Sequence, residues 1–304
     1  MIAWYDTNII LIQSTFVGLL MALSLQVPIR FGVFSFAGIG CYGIGAYVAA
    51  IMTIRYEWPA AAAIGAGMLI AGVVGYLLAL TVRRLGGLYL GMATIAFDLI
   101  VGVLAVNGGD LTGGPSGLFG ALADVTTLHL VLISAVVIGL LAYSERGAIG
   151  RRVEAVREDP ELAASMGIDV RRHRQAAFVI SALLGACAGG LNVLLRTTIA
   201  PTDIGFSLVV LALTMIIVGG SRSWAGALIG AMIFTWLPGF LEFSGQWQKV
   251  IYGVIVALAA IWVPGGLLGM MTDAYRSWQR SRRDAGSGDG DRTPLGSRAE
   301  GTPA

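Results

Sequence analysis

Nine apolar runs dominate this sequence, at roughly 8–28, 33–54, 59–82, 88–106, 127–143, 175–195, 204–219, 224–243 and 247–264. Most are about 20 residues long, enough to cross the hydrocarbon core of a bilayer as a helix. In lipid each backbone amide must find its partner within the protein, so runs of this kind have to be helical. The fold class that follows is an all-α polytopic membrane protein with about nine transmembrane helices. Charged residues make up only 12% of the chain, about half the share of a soluble domain, which excludes most soluble folds. The 43 glycines suit membrane helices packed at close range.

The basic residues then orient the spans. If the loop 144–174 is cytoplasmic, alternation puts Arg30, Arg83, Arg84, Arg222 and the C-terminal tail on the same side, leaving Arg55, Arg196 and Lys249 outside. That is 17 of the 20 basic residues inside, as the positive-inside rule requires. The expected topology has an outside N-terminus and a cytoplasmic C-terminus. No Lys or Arg precedes Arg30, so the first run lacks the basic start of a signal peptide and is expected to be a retained span. Residues 1–275 form the membrane domain. The tail 276–304 opens with Arg276, Arg280, Arg282 and Arg283, suited to the anionic inner leaflet. It then becomes too polar to bury a core and is expected to be disordered.

The loop 144–174 is the one polar island between spans. Its seven arginines are nearly balanced by Glu145, Glu154, Glu158, Asp159, Glu161 and Asp169, where a nucleic-acid surface would be one-sided. Within it, Asp159 can cap a very short helix, Pro160 suits the first helical position and Gly167 the left-handed stop. Leu162 and Met166, four apart, share a face, and Glu161 complements the helix dipole. A short, well-stopped helix between spans can dock in a groove on a soluble partner and carry its motion into the membrane.

Elsewhere the candidates are few. Asp98 is the ionisable residue near the middle of a span, where a carboxyl group needs a partner or water. It either lines a pathway, attracting the amino group of a zwitterionic solute, or is a structural acid hydrogen-bonded to a neighbouring helix. The segment Asn107–Gly117 is too rich in Gly and Pro for a helix. Gly113, Gly114, Pro115 and Ser116 belong to an ordinary surface loop or to an outer gate where a delivery protein docks. With no preceding strand and no Gly-Lys-Ser/Thr, this is not a nucleotide loop. The pairs Gly87/Gly91, Gly185/Gly189 and Gly226/Gly230 suit helix packing within the chain or at a subunit interface. Cys41 and Cys187 fall in apolar spans and are expected to be core residues, not a disulfide. His129 and His173 have no ligand-forming neighbours, so no metal or other cofactor is expected. No nucleophile, base and orienter occur together, which argues against an enzyme.

Several segments resemble the LivM-type permeases, the membrane subunits of ABC importers for branched-chain amino acids. They are Arg157-Glu158-Asp159 with Glu161, Ala163, Ala164, Met166, Gly167 and Ile168; Gly43-Ile44-Gly45-Ala46-Tyr47; Leu111 through Leu118; Ala177 through Ala182; and Val218-Gly219-Gly220 with Ser223, Trp224 and Gly226. They run in the family's order from about Arg30 to Gly266. The chain departs from the family in two places. Asp98 stands where Glu is common, and Val33–Ile39 is less polar. The resemblance implies a type II importer-like fold in the cell inner membrane, with Glu158, Asp159, Glu161, Leu162, Ala163, Ala164, Met166 and Gly167 coupling to an ATPase. It also implies cytoplasmic ATP-binding subunits, a second, LivH-like permease and an extracytoplasmic solute-binding protein. Urea or another small amide is the alternative solute within the family. An ion-coupled secondary transporter is the alternative outside it, but such proteins usually carry several intramembrane carboxylates. A membrane scaffold would have no need of a capped cytoplasmic helix.

Overall fold

The computed structural model describes residues 2–221, 223–240, 247, 251, 253–254 and 266–270. Within them the chain folds as α1 (Ile2–Arg30), α2 (Ala37–Tyr56), α3 (Ala60–Thr81), α4 (Gly87–Asn107) and α5 (Thr127–Ser144), then α6 (Gly147–Glu158) and α7 (Pro160–Ser165) in the polar island. The helices α8 (Val170–Arg196), α9 (Phe206–Gly219) and α10 (Trp224–Phe240) complete the order. Seven helices among the described residues are long and apolar enough to cross a membrane, and α10 is a shorter apolar helix. They coincide with the first eight apolar runs. The ninth run, apart from four positions, lies outside the described residues, as does the tail from Arg276.

The helices stop where local chemistry makes them stop. After Tyr56 the backbone turns left-handed at Glu57, and Pro59, with no N–H to donate, cannot extend α2. At the start of α5, His129 Nδ1 accepts the Thr126 N–H at 3.3 Å, which gives that histidine a capping role. Between α4 and α5, the two-residue strand β1 (Leu118–Phe119) pairs antiparallel with β2 (Thr198–Ile199), which follows α8. This pairing ties together loops that the sequence separates by some 80 residues.

The centre of the bundle is α2 against α8, with α3 alongside. Small residues make that approach possible. A Cβ on Gly185 would overlap the Gly38 carbonyl, one on Gly189 the Tyr42 carbonyl, and one on Gly45 the Ala186 backbone. Gly226 and Gly230 bring α10 equally close to Gly219, Gly220 and Met215. Two of the three glycine pairs therefore pack helices within the chain, as small residues do when no water drives association. Gly91 meets Phe34 and Phe36, while Gly87 faces open space. Cys41 and Cys187 are buried and unbridged in this core. The cores of α2 and α8 are 72% buried and that of α5 only 17%, so α5 has most of its surface on the outside of the chain.

The island holds more structure than the one short helix expected from sequence. In α6, Val153 and Val156 are buried on one side while Arg151, Arg152 and Glu154 are exposed, the 3.6-residue pattern of an amphipathic surface helix. Its few apolar residues leave little for periodicity to detect.

Candidate functional site

At the end of the bundle opposite the island, α1, α8, α9 and α10 line an open cavity of about 630 Å³, within the size range of small-molecule sites. Its mouth carries charge of both signs. Arg196, at the last turn of α8, donates through Nε to Asn192 Oδ1 at 3.1 Å and through an Nη to Ser14 Oγ at 2.9 Å. Five N–H groups on a guanidinium leave others free to meet an anion. Asp203 lines the same cavity and accepts the Ala200 N–H on Oδ2 at 3.0 Å, with Oδ1 left for a cation. Tyr42 of α2 lies beside Asn192 and within electrostatic reach of Arg196 and Asp203. Deeper in, Met21, Leu208, Leu211, Met215 and Phe234 form an apolar floor. A charged pair beside an apolar floor suits a zwitterion with a hydrocarbon side chain.

Sequence reasoning did not single out Arg196, Asp203, Asn192 or Tyr42 as site residues. One signal was available: Arg196 is among the three basic residues that the orientation leaves on the outer side, against the prevailing charge bias.

The Gly-rich segment packs against the strand β2 that lines this cavity. Gly113 and Gly117 adopt φ of 74° and 79°, a region glycine enters without a Cβ penalty. A side chain on Gly117 would strike the Ile199 carbonyl, and Thr198 and Ile199 line the cavity. Gly114 is buried, Pro115 and Ser116 are exposed, and the Arg55 guanidinium donates to the Asp110 carbonyl.

Asp98 holds the start of α2. Its Oδ1 accepts the Gly40 N–H at 2.8 Å, while Thr94 Oγ1, one turn earlier on α4, accepts the Phe36 N–H at 3.0 Å. Thr94 and Asp98 lie about 10 and 16 Å along α4 from Gly87. The second apolar run therefore starts with non-helical backbone, Phe31–Phe36, beside the interior of another span. Such backbone is tolerated at membrane depth only where side chains satisfy it. Asp98 Oδ2 is buried with no hydrogen-bond partner among the described residues. Asp98→Ala would strand the Gly40 amide, at a cost of about 1–3 kcal/mol, whereas Asp98→Asn keeps a carbonyl acceptor there. The expected result is lower thermal stability in detergent for the Ala variant alone; equal stability of both would contradict this capping role.

At the island end, Asp159 Oδ1 accepts the N–H groups of Glu161 and Leu162, both at 3.0 Å. Gly167, at φ 82°, closes α7. Its N–H reaches the Ala164 carbonyl, and Ile168 N–H reaches that of Ala163, both at 3.0 Å, the double bond pattern of a glycine-terminated helix. Ala163 is buried, while Leu162 and Met166 are 58% and 72% exposed and Glu158, Asp159, Glu161 and Ala164 also face outward. The island is anchored through Glu145, which pairs with Arg30 at 3.0 Å and accepts the Trp224 N–H at 3.1 Å. Gln26 donates to the carbonyls of Gly220 and Ser223. Thus the island is bonded to α1 and α10, two of the helices that wall the cavity.

A polytopic helical bundle with an open cavity at one end and an exposed capped helix at the other fits a membrane transport subunit. The chain belongs to the family of branched-chain amino acid transport system permease components, whose profile matches residues 8–260. It is 28% identical to the high-affinity branched-chain amino acid transport system permease protein LivM of Escherichia coli K12, over 84% of this chain and 68% of that protein. It is also 28% identical to the probable branched-chain amino acid transport permease protein LivH of Methanocaldococcus jannaschii, over 54% of this chain and 52% of that one. The permease protein BraD of Pseudomonas aeruginosa is 27% identical over 53% of each chain. No solved structure gives a significant match. The chain is thus a multi-pass membrane permease component and not an enzyme.

Proposed function

We infer that this chain is the membrane-spanning subunit of an ATP-driven importer and that it passes branched-chain amino acids. The observation that carries the solute assignment is the cavity, with Arg196 and Asp203 at its mouth over Leu208, Leu211, Met215 and Phe234. An α-carboxylate suits the guanidinium, an α-ammonium the carboxylate, and a branched side chain the apolar floor. Urea has neither charge nor hydrocarbon to use this arrangement. The test is uptake of labelled leucine, isoleucine, valine and urea into proteoliposomes holding the full complex, with and without ATP. ATP-dependent uptake of the amino acids but not urea is the expected result. Urea uptake without amino acid uptake would overturn the solute assignment.

In this reading residues 1–275 are the permease domain of a type II importer-like fold with nine spans, and 276–304 a cytoplasmic tail. Its partners are cytoplasmic ATP-binding subunits, a second permease subunit and an extracytoplasmic solute-binding protein. The segment Glu158–Gly167 docks on the ATPase, and the bonds from Glu145 to α1 and α10 carry its movement toward the cavity walls. The segment Gly113–Ser116 braces the outer mouth. The arginine bias puts loop 144–174 in the cytoplasm and Asn107–Thr126 outside. Ser116 and Ser165 are both exposed, and the native cysteines are buried. Single cysteines placed there are expected to label from opposite sides of sealed cells. Labelling of both from outside would break the nine-span count, and labelling of the Ser165 position alone from outside would reverse the orientation.

A further inference from the structure

A second cavity, of about 410 Å³, lies at the island end, where α3 ends and α4 and α8 begin. Its rim holds Arg83, Arg84, Arg171 and Arg174, and its floor is apolar, with Val82 and Phe178 both buried. Among the described residues, none of these four guanidiniums has a carboxylate within ion-pair distance. Arg174 Nε is buried without a hydrogen-bond partner among the described residues. Asp169, the acid nearest in sequence, is taken up by Arg172, through both its guanidinium and its backbone N–H at 3.0 Å. A desolvated donor left unpaired is costly, and the exposed guanidiniums of Arg83, Arg84 and Arg171 add three positive charges at the same rim, which together attract an anion.

The surroundings specify what kind of anion. The cavity sits at the ends of three membrane-spanning helices, the depth of lipid headgroups. Leu88 and Tyr89 beside it are 70% and 75% exposed, as residues facing lipid at the interface are. Basic pockets between span ends over an apolar floor have the chemistry for a phosphate headgroup and the start of its acyl chain. An acidic protein surface would satisfy the arginines but leave the floor unused. We propose that this cavity is a binding site for an anionic glycerophospholipid, its phosphate held by Arg171 and Arg174 with Arg83 and Arg84, and its acyl chain lying along Val82 and Phe178. The bound lipid would also brace the start of α8, three residues beyond Gly167.

The test is native mass spectrometry of the full chain, purified with its partner subunits and exchanged into phosphatidylcholine vesicles with or without phosphatidylglycerol. Wild type is expected to retain phosphatidylglycerol in preference to phosphatidylcholine. Retention should fall about tenfold or more in Arg171→Gln/Arg174→Gln, the loss expected for removing charged hydrogen bonds. The loop pair Arg83→Gln/Arg84→Gln leaves α8 untouched and should show the same direction of loss, so misfolding of the first pair does not stop the test. Arg151→Gln/Arg152→Gln removes equal charge from the exposed face of α6 and should retain the lipid as wild type does. Equal retention in wild type and both pocket pairs would overturn the site. So would an equal loss in the α6 control, which would mean general surface charge. Displacement of the lipid by inorganic phosphate would show a free-anion site and overturn the lipid assignment.

Discussion

Leu162→Asp combined with Met166→Asp is expected to abolish ATP-driven uptake, to below about one hundredth of wild type, while the permease still inserts and packs. Both side chains lie largely in solvent, at 58% and 72% exposure, so their replacement removes almost nothing from the chain's own core. Surface substitutions of this sort usually change stability by about 0.5 kcal/mol or less. An apolar pair four residues apart is, however, the face that a helix lays into a groove on a partner. Two carboxylates there would have to be buried without partners, at several kcal/mol. Glu161→Lys would act in the same direction by placing a positive charge in the first turn, against the helix dipole. Gly167→Val tests the shape of the segment instead. At φ 82° nothing lies within 4 Å of a new Cβ, so the cost is backbone strain alone, about 1–2 kcal/mol. A helix of six residues has little stability to absorb that. The measurements are ATPase-subunit binding and solute uptake at matched permease levels. Wild-type values in the double Asp variant would remove α7 from the coupling role.

Arg196→Ala is expected to lower branched-chain amino acid uptake about ten- to a hundredfold. A charge-assisted hydrogen bond contributes roughly 1.5–3 kcal/mol, and each 1.4 kcal/mol is a factor of ten. The same change releases Asn192 and Ser14, which Arg196 now holds at the cavity wall, so Arg196→Lys is needed beside it. Lysine keeps the charge but not the fork that meets a carboxylate with two N–H groups, and an intermediate loss is expected. Asp203→Asn should weaken uptake through the ammonium end, since the amide carbonyl can still accept the Ala200 N–H but carries no charge. Uptake of leucine at several concentrations separates weakened solute capture, seen as a raised KM, from a failed transport cycle. An unchanged KM and rate in both Arg196 variants would exclude the cavity mouth as the solute site.

Much of the molecule is written in local chemistry. Runs of about 20 apolar residues can only be helices in lipid, so the seven helices long enough to span within the described residues follow from composition along the chain. The α7 caps are equally local: Asp159, Pro160 and Gly167 act within eight residues of one another, Asp159 through its carboxylate and Pro160 and Gly167 through their backbone preferences. The amphipathic α6 was hidden because two buried valines among many charges give periodicity little to register. Asp98 shows where local reading stops. Sequence established that a carboxyl group in a span needs a partner, but the Gly40 amide is 58 residues away and reachable only once α4 packs against the broken start of α2.

The sites follow the same division. Sequence alone determined the helical membrane class, the arginine-rich side and the capped helix between spans, because each depends on residues close together in the chain. Only the tertiary structure brought Ser14, Tyr42, Asn192, Arg196 and Asp203 to one cavity, set Glu145 between Arg30 and the start of α10, and gathered four arginines, two from the α3–α4 loop and two from the start of α8, around an apolar floor. These groups come from helices whose neighbours are chosen by close glycine contacts, Gly185 on Gly38 and Gly230 on Met215. Small residues permit many such contacts, and which ones form depends on the packing of all the helices together.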